Sequence, residues 1–238
     1  MSTTTYKFAK VLIESVLATI VFAFIAMFGF STIEPGVLNA QAATTTSQFT
    51  TKQTITSEIS FLTPASNIVL SPSIGGITGG AATGTTQVVV YTNNTTGYTM
   101  TIAASGTVQA MRGDTATTSY INDYTPATGK PDFGFSTAGV SSKFGFTVSA
   151  SNTADLAQKF LDNGGTCNTG AADTNGAASC WSFATSTATS TIVTAAQSLV
   201  SGSTSTIFMH TFVPPNPNPA LPKDTYTATT TLTAVTNP

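Results

Sequence analysis

The chain has 238 residues, of which 41% are hydrophobic and only 8% charged, and its formal net charge is −2. That composition excludes a basic field for nucleic acid, because such binding rests on clustered Lys and Arg neutralising phosphates. Surface solvation falls instead to Thr, Ser, Asn and Gln, a pattern typical of exported β-proteins.

In chain order, Lys7 and Lys10 flank the start of an apolar run from Val11 to Phe30, broken only by Glu14 and Ser15, and Pro35, Gly36 and Ala40-Gln41-Ala42 follow. Basic residues, an apolar core and two small residues at an A-x-A site make up a secretory signal peptide, here cut after Ala42. Two other readings stay open. The run is close to the roughly 20 residues that span a bilayer, which suits a retained membrane anchor. FAKVLIES also resembles the type IV prepilin leader, with Ala9 before the cut, Lys10 first and Glu14 fifth in the mature helix; that resemblance implies a pilin-like subunit. Residues 1–42 are therefore expected to be a signal peptide or membrane leader, residues 43–54 a Thr-rich extended segment, and residues 55–238 a folded domain.

Within that domain, alternation of apolar and polar residues predicts strands at 55–61, 67–70, 107–112, 133–136, 143–150, 204–213 and 224–235. The stretch TQVVVYTNNTTGYTMTIAAS (86–105) reads as a β-hairpin whose tip is Asn93-Asn94-Thr95-Thr96-Gly97, with Val88, Val90, Tyr98, Met100 and Ile102 turned to one core. The glycine-rich 73–84 reads as loop or bent edge. Only DLAQKFLDN (155–163) has helical spacing, with Gly164 placed to stop it. Tyr226, Ala228, Thr230, Leu232 and Ala234 share a face, and the proline-rich VPPNPNPALPKD (213–224) is a stiff connection. Many short strands and one short helix, behind an N-terminal hydrophobic leader helix, predict an all-β fold of the immunoglobulin-like β-sandwich type.

The chemistry-bearing residues are few. Cys167 and Cys180 are the only cysteines, and no second pair or neighbouring His completes a zinc tetrahedron. A disulfide closing the polar loop between them is expected in an oxidising compartment, with free thiols the alternative. His210 is the only histidine and no G-x-S-x-G occurs, so it reads as structural, and the scattered aspartates select no catalytic pair. Asp173-Thr174-Asn175-Gly176 is either the start of a calcium loop, without the bidentate glutamate, or an Asx turn. Arg112-Gly113-Asp114 spells an adhesion tripeptide or simply a turn. Asn93 and Asn94 head two overlapping N-x-T sequons, and so are candidate glycosylation sites. Tyr91 and Tyr98 are either a stacking pair for a sugar or cross-strand stabilisers. No catalytic, cofactor-binding or metal residue is assigned, and the chain is not expected to be an enzyme.

VVVYTNNTTGYTMTI, followed much later by DTYTATTTLTAV, resembles a broad class of secreted bacterial surface proteins with immunoglobulin-like domains, in particular the WxL-type and the spore-coat-U or fimbrial-like domains. Asp224 stands where that class usually has glycine. The resemblance implies a secreted or cell-surface structural or adhesive subunit. Its partners would be itself, other surface proteins or glycans, with the membrane engaged only through the leader. A carbohydrate-binding module is the alternative.

Overall fold

The computed structural model describes residues 3–29, 45–104, 111–127, 131–173, 180–184 and 189–238. The chain divides into two units, Met1–Gln53 and Thr54–Pro238. In the first, Thr3–Gly29 is an α-helix, α1, and residues 45–53 are exposed without regular secondary structure. No helix among the described residues is long and apolar enough to cross a membrane. The expected cleavage point at Ala42 lies outside the described residues.

The second unit is mostly β. Its main sheet joins β1 (Ile59–Thr63), β2 (Gly80–Thr92), β4 (Met111–Gly113), β5 (Tyr120–Asp123), β7 (Lys143–Ala150), β10 (Leu199–Val213) and β11 (Tyr226–Thr227) in the order β1-β2-β10-β7-β5-β4-β11. A second sheet joins β3 (Tyr98–Ala104), β9 (Ser190–Ala195) and β12 (Thr230–Thr236) in the order β12-β3-β9, and a small ribbon pairs β6 (Asp132–Phe133) with β8 (Cys180–Trp181). The pairings are antiparallel except that of β5 with β7.

Both larger sheets contribute to one core. Val88 and Val90 from β2, Met100 and Ile102 from β3, Phe146 and Val148 from β7, and Ile207 from β10 are all essentially inaccessible to solvent. Each such side chain contributes on the order of 1.5–3 kcal/mol through removal from water. The alternation read from sequence therefore places these side chains correctly, and the predicted face of Tyr226, Ala228, Thr230, Leu232 and Ala234 is the half-buried one.

Other expectations are corrected. The stretch 86–105 is not a hairpin: β2 and β3 lie in different sheets, so the turn at 93–97 carries the chain across the core. Glycine-rich residues 80–84 form the first part of β2, paired with β10 as far as Gly80 opposite Val213. Gly84 is needed there because a Cβ would come 2.4 Å from Ile68 Cγ2. Residues 67–70 are no strand; they run alongside β2 and touch it through the bridge of Ser71 with Thr83. The helix expected at 155–163 is replaced by two 3₁₀ turns, Thr153–Asp155 and Gln158–Phe160. Ala157 between them is extended, with its N–H given to Ile192 O at 3.0 Å. A tertiary hydrogen bond to β9 thus wins over a weak local helical preference. The last strand is broken, with β11 in the main sheet and β12 in the second. Of the strand expected at 107–112 only Met111 and Arg112 are described, at the start of β4, and of that expected at 133–136 only Phe133 is in a strand, the two-residue β6.

Candidate functional site

The turn between β2 and β3 is a hydrogen-bonded knot. The Asn94 side-chain amide donates to Thr96 Oγ1 at 2.8 Å, Gly97 O at 2.9 Å and Asn237 O at 2.7 Å. Asn237 in turn donates to Thr96 O and Ala195 O, at 2.8 and 2.9 Å. Gly97 has φ +79°, and a Cβ there would meet Ala195 O at 2.0 Å. Positive φ and close approach both require glycine. Asn93 accepts from Glu58 N at 2.7 Å and donates to Thr56 O at 3.0 Å. Both sequon amides are thus tied into the fold, and residues just before β1 are pinned to this turn.

The proposed stacking pair does not exist as a surface feature. Tyr98 is fully buried, whereas Tyr91 is 38% exposed. Because β2 and β3 belong to different sheets, the two are not cross-strand neighbours either.

Cys167 and Cys180 form a disulfide with Cα atoms 5.7 Å apart. Both are buried, and in the chain-entropy model a loop of this length gains about 3 kcal/mol. Asp162, just before the loop, is buried. Burial, with a further contribution from Asp162, pushes the Asp173 carboxyl up to about 6 against a hydrogen bond from Ala150 that favours its charge. Asn175 and Gly176 lie outside the described residues, and among the described residues no group of three or more His, Cys, Asp or Glu could hold a metal ion. A carboxyl raised on folding binds more protons folded than unfolded between its two pKa values, so its contribution to stability falls as pH rises through that window. Asp173→Asn is therefore expected to leave the melting temperature unchanged near pH 3 and to raise it above pH 6.5, as read by calorimetry across that range.

Sequence reasoning missed an aromatic layer on the outer face of the main sheet. The His210 ring lies 4.3 Å from Phe135 and 5.3 Å from Trp181, and Phe135 lies 4.4 Å from Tyr124. Burial lowers the His210 pKa, which keeps the imidazole neutral inside this layer. Tyr124 donates to Asp132 Oδ2 at 2.8 Å, and burial above all pushes its phenol up to about 12. These contacts hold the segment 132–136 against β7 and β10. They join residues too far apart in sequence to leave a local signal.

Two motifs resolve into structural parts. Arg112 and Gly113 pair with Thr227 and Tyr226, Arg112 Nε donates to Thr117 O, and Asp114 N donates to Thr225 O at 2.9 Å. The adhesion tripeptide is therefore a strand end, not a splayed turn. Asp224, at the position where glycine was expected, accepts from Thr115 N at 2.9 Å and Ala116 N at 2.6 Å. These bonds, that from Ala116 first, lower its pKa.

What remains open is the sheet edge. β1 ends one side of the main sheet and β12 one side of the second. Ile59, Phe61, Leu232 and Ala234 are half-buried at the margin of the core, and β12, TTLTAVT, carries no charge and no proline. Such residues are the usual means of blunting an edge. The chain matches no protein-family model, and a search of curated proteins finds no match.

Proposed function

We propose that this chain is an exported cell-surface structural or adhesive subunit, built on an immunoglobulin-like sandwich, that assembles by strand addition at its sheet edges. The observation that carries the reading is the uncharged open edge of β12. Its natural complement is the segment 45–55 of another copy, which precedes the residues tied to the 93–97 turn. That segment is exposed throughout, its one charged residue is Lys52, and Phe49 and Ile55 are 89% and 83% exposed. Their even separation puts both on one face of an extended strand. Added beside β12, that face would cover Leu232 and Ala234 while main-chain groups pair along the edge. Export is supported by the disulfide, which persists in oxidising compartments, and by the leader sequence.

Two results test this. Lysines placed on the edge by Thr231→Lys with Thr233→Lys are expected to abolish multimers in sedimentation velocity without lowering the melting temperature by more than a few degrees; unchanged multimers would refute the β12 edge. N-terminal sequencing of the exported chain is expected to begin at Ala43. A start at Lys10 would replace the signal-peptide reading with the pilin-like one.

A further inference from the structure

An open cleft of about 740 Å³ lies between the segment 131–136 and the segment 165–169. Its volume is within the range of small-ligand sites. The two walls are joined at their base: Phe133 pairs with Cys180 across the β6–β8 ribbon, and Cys180 is bonded to Cys167 in the opposite wall. The disulfide therefore sets the separation of the walls.

The lining selects a ligand class. Asp132 is the one ionisable side chain among the described lining residues, and its carboxylate already accepts from Tyr124 Oη and from Ala127 N, at 2.8 and 2.9 Å. Among the described lining residues no cation awaits an anionic ligand, and the one carboxylate is already engaged by donors of the fold. Phe133 supplies an apolar surface, and the Ser136 and Thr166 hydroxyls and the Asn168 carboxamide supply donors and acceptors. Asn168 itself has φ +64° and is fixed in that conformation by its N–H to Leu161 O at 2.8 Å. Non-glycine residues held in the left-handed region cluster at ligand clamps. We propose that this cleft binds a neutral oligosaccharide, whose apolar ring faces pack on Phe133 while its hydroxyls bond to Ser136, Thr166 and Asn168.

The test is calorimetric titration of the disulfide-bonded protein with cellohexaose, chitohexaose, mannohexaose and, as the charged comparator, hexagalacturonate. Saturable binding of at least one neutral hexasaccharide is expected, weakened about tenfold or more by Asn168→Gly and by Thr166→Val. Asn168→Gly removes the carboxamide while keeping a residue that tolerates positive φ, and Thr166 is exposed and Asn168 only half-buried, so folding is preserved. Reduction of the disulfide should weaken binding similarly, and Tyr91→Ala should not. The proposal is overturned if none of the three neutral sugars binds, if binding survives both cleft substitutions, or if hexagalacturonate binds more tightly than every neutral sugar.

Discussion

Tyr98→Ala is expected to destabilise the chain by about 3–5 kcal/mol, the usual cost of truncating a large aromatic side chain in a packed core. Tyr98 is the first residue of β3 and is fully buried, and its inward neighbours Met100 and Ile102 are equally inaccessible. The phenol adds little to that total. Burial raises its pKa, and the hydroxyl lies near Ser203 without a well-formed hydrogen bond. Tyr98→Phe should thus change stability by no more than about 1 kcal/mol. Tyr91→Ala, at a part-exposed position on β2, should stay within about 0.5 kcal/mol. Urea denaturation of the three variants checks the set. Equal effects at Tyr91 and Tyr98 would contradict the burial of Tyr98 and the exposure of Tyr91.

Removing the disulfide by Cys167→Ser with Cys180→Ser is expected to cost about 3 kcal/mol, from denatured-state entropy regained over a loop with sequence separation 13. Both sulfurs are buried, and β8 carries Trp181 into the aromatic layer with Phe135 and His210. Losing the link should therefore loosen the layer as well as the loop. Tryptophan fluorescence is expected to shift to the red and to quench more readily, because Trp181 is the only tryptophan. Alkylation of the native protein without reductant should label neither cysteine. Full labelling together with unchanged stability would refute the structural role of the bridge.

Which side chains face inward was legible from the sequence because alternation is a local property of a strand. Val88 and Val90, Phe144, Phe146 and Val148, and the series from Tyr226 to Ala234 all obey it. Which strands pair was not legible. An Asn-Asn-Thr-Thr-Gly turn serves a hairpin or a crossing between sheets equally well, and the choice is made by β10 and β12, more than a hundred residues away. The Asn94–Asn237 contact and the stack of Phe135 on His210 are invisible for the same reason. On β10, Ser203, Ser205 and Thr211 occupy inward positions that read as polar and are buried. The helix at 155–163 failed because apolar spacing of three to four residues also fits two successive 3₁₀ turns that drop Leu156, Phe160 and Leu161 into the core.

Assembly through strand edges makes its sharpest demand on the exposed segment that precedes β1. Among the described residues no strand pairs with the outer side of β12, while residues 45–55 offer an exposed, nearly uncharged stretch rich in threonine, whose β-branched side chain favours extended structure. The decisive measurement is the solution mass of the exported chain, by sedimentation velocity over a hundredfold range of concentration, with and without residues 43–54. Strand addition predicts multimers that grow with concentration in the full chain, and a monomer with an unchanged melting temperature after the deletion. A full chain that stays monomeric at every concentration, or multimers that survive the deletion, would contradict it.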